Sequence, residues 1–295
     1  MTTKKIAVVG AGYVGATCSQ LLAQKELAQE VVLLDIVEGI PQGKGLDQWE
    51  SAPIERFDSR VIGANDYAEA EGSQVFVVTA GIARKPGMSR DDLLKTNAGV
   101  IGSVSREIKR VAPNAIVIMI TNPLDVMAQV ALEETGFPRE RVIGMAGVLD
   151  TARYRSFIAL ALDVSVEDIQ ALVLGGHGDT MVPLASYTSV SGIPLSQLLS
   201  QDRIDSLIER TRKGGGEIVN LLGNGSAFYA PASSAIQMAE SYLNDLKRIL
   251  PCAVYLKGEY GVDGLYVGVP CIIGQGGAET VVEYDLNTEE KSMFD

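Results

Sequence analysis

The chain contains one histidine, His177, with glycines on both sides in Gly175-Gly176-His177-Gly178-Asp179. Such a loop gives an imidazole little side-chain cover, so the ring can meet a ligand. Its near-neutral pKa would let it accept a proton in one direction of a reaction and return it in the other. A lone loop histidine can equally cap a turn on nearby backbone. Asp150 and Arg153 bear on that choice, in Gly147-Val148-Leu149-Asp150-Thr151-Ala152-Arg153. Their spacing puts both on one face at the start of a helical pattern. A carboxylate there could hold one ring nitrogen and favour the charged imidazole; an Asp in that place could also be a plain helix cap. A third group of interest is Ala83-Arg84-Lys85-Pro86-Gly87-Met88-Ser89-Arg90. In an acidic chain this basic cluster suits an anionic ligand, although a solvated surface pair is the ordinary reading of adjacent Arg and Lys.

The elements that would position these residues begin at Gly10-Ala11-Gly12-Tyr13-Val14-Gly15. The G-x-G-x-x-G pattern is weak alone, but here it follows a predicted strand, opens a helix and precedes a second apolar strand ending at Asp35. Gly10 suits the tight turn, Gly12 lets a pyrophosphate approach the backbone, and Gly15 lets helix and strand pack closely. Asp35 lies about 20 residues further on, where a carboxylate would accept from ribose hydroxyls and repel a 2′-phosphate. The set predicts NAD rather than NADP. With NAD in place, the chemistry expected of His177 is proton transfer coupled to hydride transfer at a hydroxyl-bearing carbon.

Bulk composition narrows the class. The 295 residues, 46% hydrophobic and 21% charged, suit a folded protein of one large or two ordinary domains. The net charge of −12 argues against general nucleic-acid binding. No segment approaches the roughly 20 uncharged apolar residues of a membrane span, and the N-terminus does not read as a signal peptide. Cys18, Cys252 and Cys271 form no C-x-x-C pair, and with one histidine a zinc site is not expected. Unpaired cysteines fit a reducing compartment, so a cytoplasmic location is expected.

Short Val/Ile runs at 6–9, 31–34, 75–78 and 115–120 alternate with helical patterns such as 14–25 and 91–111. That alternation predicts an α/β, doubly wound parallel-sheet (Rossmann) NAD domain over residues 1–146. Residues 147–295 read as an α+β domain with antiparallel pairing. Its expected elements are a helix at 149–162, a strand at 169–174, helices at 202–222 and 231–249, and strands at 253–256, 266–273 and 280–284. No linker or repeat separates the halves, which predicts tight packing between them.

Together these segments, with Thr79-Ala80-Gly81 and Thr121-Asn122-Pro123-Leu124-Asp125, resemble the lactate/malate dehydrogenase family, and within it the malate dehydrogenases that are lactate-dehydrogenase-like in sequence. The resemblance covers essentially the whole chain. It implies NAD-dependent reversible oxidation of (S)-malate to oxaloacetate in the tricarboxylic acid cycle, with His177 and Asp150 as the proton relay. It further implies that Arg153 clamps the substrate C1 carboxylate and that Arg90 stabilises charge on the reacting oxygen. Asn122 would place substrate and nicotinamide ribose, with a cis Asn122-Pro123 bond, and Asn97 would lie near the cofactor. Lactate dehydrogenases typically carry glutamine at the position of Arg84, so a second arginine there implies a dicarboxylate. The stretch from Gly81 to Arg90 reads as a lid. The resemblance also implies a homotetramer, with a dimer next, and a minor contact role for Ser233 and Ser234. It leads one to expect a final amphipathic helix, of which little precedes Asp295. Gly214-Gly215-Gly216 fits either close helix approach or a kink beside the active site, or else a loop between two helices.

Overall fold

The computed structural model describes residues 4–82 and 89–295. The short β-branched runs become strands largely buried on both faces, β1 (Lys5–Val9), β2 (Glu30–Leu34), β4 (Val75–Val78), β5 (Ile116–Met119) and β6 (Val142–Gly144), with β3 (Arg60–Ala64) at the edge and only partly buried. Helices α1 (Tyr13–Gln24), α2 (Ile40–Glu55), α3 (Arg90–Val111) and α4 (Leu124–Thr135) connect them. The six strands pair in parallel in the order β3-β2-β1-β4-β5-β6. This order reverses direction between β1 and β4, and in open α/β sheets that reversal marks the ligand crevice at the carboxyl ends of the strands.

The register puts Val9 opposite both Leu34 and Val78, so the chain leaves β1, β2 and β4 at one level. Gly10 turns there with φ +102°, and a Cβ on it would lie 2.7 Å from Thr79 Oγ1 and 2.9 Å from the Ala80 nitrogen. A Cβ at Gly15 would collide with the carbonyl oxygen of Gly10, so α1 can settle on the turn only as glycine. Further along, Ser89 caps α3: its hydroxyl accepts from Asp92 N–H at 3.0 Å, and Asp91 and Asp92 favour the positive end of the helix dipole.

The second half opens with α5 (Gly147–Leu162), directly after β6. Then come β7 (Ile169–Gln170), β8 (Val173–Gly175), β9 (Met181–Pro183), β10 (Ser189–Val190), β11 (Ile193–Pro194), α6 (Leu195–Leu198), α7 (Gln201–Leu222) and α8 (Tyr229–Leu243). The chain closes with β12 (Arg248–Lys257), β13 (Asp263–Gly274), β14 (Gly277–Val281) and α9 (Thr288–Phe294). The expected antiparallel pairing is present, and it extends the same sheet. Ala253 of β12 pairs with Gly144 of β6, followed in order by β13, β8 and β9, with β14 on the side of β13.

Two expected elements differ. The run 169–174 divides: β7 joins a small sheet with β10 and β11, whereas β8 pairs with β9 and β13 in the main sheet. A continuous apolar run carries no mark of such a change of partner. The helical pattern read as 231–249 ends at Leu243. Asp245 and Lys247 then take positive φ, at 50° and 53°, which turns the chain into β12.

The halves share one core. Ile6, Val8, Cys18 and Leu22 pack in the same buried cluster as Ala232, Ile236, Met238, Cys252 and Val254. The dinucleotide turn and the second-half elements are thereby held in one packed body. Replacing Gly15→Ala is expected to lower stability by about 2 kcal/mol or more, as for an overpacked core site. Urea denaturation of the purified variant measures this, and an unchanged midpoint would refute the proposed helix–turn packing.

Candidate active site

The carboxyl ends of β1, β4, β5 and β6 open into a cleft of about 520 Å³. Its near wall comprises Gly12, Tyr13, Thr79, Gly81, Thr121 and Asn122; its far wall includes Leu149, Arg153, His177, Gly215, Val219 and the loop from Gly225 to Phe228. The two walls touch where Tyr13 stacks on Phe228, with ring centroids 5.3 Å apart.

On the near wall the residues fit a dinucleotide. A Cβ at Gly12 would meet nothing within 4 Å, so this turn of backbone faces open space. Gly12 is also the N-cap of α1 and supplies no side-chain cap, which leaves first-turn N–H groups and the positive end of the helix dipole for phosphate. Asp35 directly follows β2; its Oδ2 accepts from Ala11 N–H at 2.7 Å and its Oδ1 from Val37 N–H at 3.0 Å. These bonds fix the carboxylate beside the turn and leave lone pairs for ribose hydroxyls. Lys44 Nζ donates to the Ala11 carbonyl at 2.6 Å and braces the turn from behind.

The far wall carries the ionic groups. Asp150 sits in the first turn of α5, 2% exposed, where the helix dipole favours a carboxylate. The helix N-cap is Ala146, so Asp150 is not the cap. Instead His177 Nδ1 donates to its Oδ2 at 2.9 Å, and Arg153 Nη1 donates to its Oδ1 at 3.2 Å. Burial pulls the His177 pKa down, but the hydrogen bond and charge of Asp150 outweigh it, and the imidazole titrates above its ordinary value. With Nδ1 engaged, Nε2 is the ring atom left to exchange a proton with a ligand.

Arg153 is held over the cleft with its Nε buried and without a hydrogen-bond partner among the described residues. Burial lowers its pKa against the pull of Asp150. An orphaned guanidinium donor beside a cleft is a docking point for a carboxylate, which can accept two parallel bonds from the fork.

The glycine run explains how Arg153 fits. Helix α7 continues unbroken through Gly214-Gly215-Gly216, which settles that question in favour of close approach. A Cβ on Gly214 would lie 3.3 Å from Arg153 Cδ and 3.5 Å from Phe157 Cε2, and one on Gly215 would lie 3.6 Å from Arg153 Nη2. Gly216 has nothing within 4 Å.

The structure thus gathers Gly12, Asn122, Arg153 and His177 at one cleft, with Gly10, Gly15, Asp35 and Asp150 immediately behind them. The Asn122-Pro123 bond is cis as expected. Asn97 is 1% exposed and its amide is engaged with backbone: Oδ1 accepts from Ile82 N–H, and Nδ2 donates to the carbonyls of Ile82 and Asn122. It braces the cleft floor from below. Arg84 and most of the lid segment lie outside the described residues, and of Arg90 the backbone alone is described, as the first residue of α3. Ser234 donates to the Ala230 carbonyl within α8, and Pro231 borders the cleft where the two serines were expected. Sequence reasoning did not single out Tyr13, Phe228 or the 225–228 loop, because apolar loop residues carry no spacing signal.

Residues 4–144 match the family described as lactate/malate dehydrogenase, NAD binding domain, and residues 147–295 match its alpha/beta C-terminal domain. The chain belongs to the lactate/malate dehydrogenase family. A relative named malate dehydrogenase from Chloroherpeton thalassium is 57% identical over 290 residues, spanning 98% of this chain and 94% of that one. Among solved structures, malate dehydrogenase from Salinibacter ruber superposes with TM-score 0.94 at 53% identity, covering 98% of this chain and 92% of that one. A lactate dehydrogenase from Cryptosporidium parvum, complexed with lactic acid and nicotinamide adenine dinucleotide, superposes with TM-score 0.96 at 45% identity, covering 100% and 94%. Backbone similarity of this order is shared by both activities, so the substrate must be argued from side chains.

The packing of α7 on Arg153 yields a paired test. Gly214→Leu is expected to push the arginine aside and raise KM for a carboxylate substrate tenfold or more, the loss of one charge-assisted contact. Gly216→Ala is expected to leave KM unchanged and to add about 0.5–1 kcal/mol of stability through helix propensity. Steady-state kinetics and thermal unfolding read the two effects; equal KM values in both variants would remove Gly214 from the site.

Proposed function

We propose that this chain catalyses the NAD-dependent interconversion of (S)-malate and oxaloacetate. The observation that carries the reading is the buried Asp150 carboxylate shared by His177 and Arg153 at the dinucleotide cleft. One group relays a proton and the other stands ready to hold a carboxylate. The malate dehydrogenase relatives, at 54% to 58% identity over nearly the whole chain, support it.

When bound, NAD supplies the hydride acceptor. The chain's own residues do the rest. Arg153 holds one substrate carboxylate and fixes the reacting carbon relative to the turn at Gly12. In malate oxidation, neutral His177 takes the hydroxyl proton at Nε2 and becomes an imidazolium that Asp150 stabilises. In oxaloacetate reduction the charged imidazole returns that proton. Because Asp150 raises the His177 pKa, the charged form needed for reduction persists to higher pH than in a free histidine. Malate oxidation gains as pH rises through that pKa, and oxaloacetate reduction is lost over the same window.

Arg84 is assigned to the second carboxylate and Arg90 to the reacting oxygen, on the sequence motif that contains them. A pyruvate methyl group would leave Arg84 desolvated and unpaired. With NADH, kcat/KM for oxaloacetate is expected to exceed that for pyruvate about a hundredfold or more, and NADPH is expected to be poorer than NADH because of Asp35. Arg84→Gln is expected to move the ratio toward pyruvate. A preference of the unsubstituted chain for pyruvate would overturn the malate assignment, and an unmoved ratio in the variant would discard Arg84 as selector.

The reading includes a homotetramer, with a dimer as the second choice. Supporting it, α2 exposes Ile40, Leu46, Trp49 and Ile54, and Leu221 and Leu222 are exposed at the end of α7. Light scattering is expected to give a mass near four times the 31.4 kDa of the chain, and a value near one would exclude an oligomer. A cytoplasmic location is part of the same reading, supported by three buried free thiols. No helix among the described residues is long and apolar enough to cross a membrane.

A further inference from the structure

His177 sits in the turn of a hairpin whose own backbone does little to stiffen it. Strands β8 and β9 pair from Val173 with Pro183 to Gly175 with Met181, and the turn between them runs from Gly176 to Thr180. Gly175 and Gly178 take positive φ, at 83° and 127°, in the residue type that loses most freedom on ordering. Met181 N–H donates to the Gly178 carbonyl at 3.2 Å and closes the turn. On one side β13 holds β8, with Gly268 opposite Gly175, whereas β9 ends the strand order and takes its outer support from elsewhere. Helix α7 supplies it. Arg212 Nε donates to the Met181 carbonyl at 3.3 Å, and its Nη2 donates to Met293 Sδ on α9 at 3.2 Å. Helix α9 is itself anchored just beyond β9, where the buried Glu290 accepts from Ser186 N–H at 3.2 Å and from its hydroxyl at 2.6 Å.

We propose that Arg212 is a positioning residue for proton transfer, which ties the base of the His177 turn to α7 and so keeps the imidazole in register with Arg153. The inference rests on the reading of His177 as the proton-transferring group. Two contacts of α7 carry it. Gly214 and Gly215 let Arg153 lie against the helix, and Arg212, on the same stretch, grips Met181. One rigid helix thereby touches both the residue that would hold the substrate carboxylate and the strand that leads out of the histidine turn. The proposal also accounts for the company Arg212 keeps. Its short contacts are a neutral carbonyl and a thioether, while the nearest carboxylate, Glu209, lies 3.8 Å from Nη1 and is half exposed. An exposed ion pair at that distance is worth little, so the donors bonded to β9 and α9 are what hold the guanidinium in place. Without them the turn can shift relative to α5, and the bond from His177 Nδ1 to Asp150 loosens.

Arg212→Met keeps most of the apolar stem and removes every donor. With oxaloacetate and NADH it is expected to lower kcat about tenfold or more, as for a misplaced catalytic group, and to leave KM within about twofold because Arg153 keeps its seat. Arg212→Lys retains the charge and one reach to Met181, and its kcat is expected to lie between the two. Because the chain has one histidine, its ring can also be followed alone. In full-length protein carrying nitrogen-labelled histidine, without substrate, the Nδ1 resonance reports the bond to Asp150. It is expected to be displaced in Arg212→Met and to return part-way in Arg212→Lys. A merely structural loss would lower the yield of folded protein without moving that resonance. Should Arg212→Met fail to fold, Arg212→Lys decides by the same two readings. An unchanged kcat, a KM that rises as far as kcat falls, an unmoved Nδ1 resonance, or failure of both variants to fold would each overturn the proposal. Failure of the malate reading would look different, with no turnover of oxaloacetate by the unsubstituted chain while the resonance is still displaced in the variants.

Discussion

The arrangement depends on one buried carboxylate held by two partners, an arginine and an imidazole that is cationic when protonated. Asp150 is almost wholly removed from water, and an isolated charge there would be costly; Arg153 and His177 together make it tolerable. Each partner is in turn placed by the other's needs. Arg153 cannot swing fully into the cleft because one Nη is committed, so it presents its remaining donors from a fixed position. His177 cannot turn its ring because Nδ1 is held, so Nε2 is aimed. Loss of either partner would leave a buried charge partly unpaired, a change typically worth about 3–5 kcal/mol.

The scaffold supplies that carboxylate with a place rather than with energy. Helix α5 begins at the carboxyl end of β6, the last parallel strand, so its first turn lies beside the crevice that the strand order creates. The histidine arrives from β8, which reaches the same sheet through β13 and β12. His177 from the second half and the glycine turn from the first are thus joined through one continuous sheet. A shared core under one face keeps their spacing constant.

Much of this was legible in the residues. The glycine motif, Asp35, the Asp150–Arg153 spacing and the glycine-flanked His177 each state a local chemical requirement, and local requirements leave local marks. The parallel strands were legible for the same reason, because burial on both faces demands unbroken Val and Ile. What escaped depended on distant partners. Nothing within 169–174 says that its two ends belong to different sheets, since the reason lies in β10 and β13. Nothing within Gly214-Gly215-Gly216 says that the run is helical; Arg153 and Phe157 on α5 supply the reason. Tyr13 and Phe228 are ordinary aromatics until the fold stacks them.

The division between backbone and side chain also bears on how substrate is chosen. Solved structures of both a malate and a lactate dehydrogenase superpose on this chain with TM-scores of 0.94 and 0.96, so the course of the backbone is common ground. On the proposed reading, His177 and Arg153 would serve any 2-hydroxy acid, because they meet only the part such acids share. Discrimination must come from groups that meet what differs, the second carboxylate against a methyl. A cationic side chain rejects a methyl strongly, since the cost of leaving a desolvated charge unpaired exceeds the gain from one apolar contact. On the proposed reading that asymmetry gives the decision to Arg84, in the sequence motif between β4 and α3. On that reading the chemistry stays with groups held by the sheet, while the choice of acid rests on Arg84.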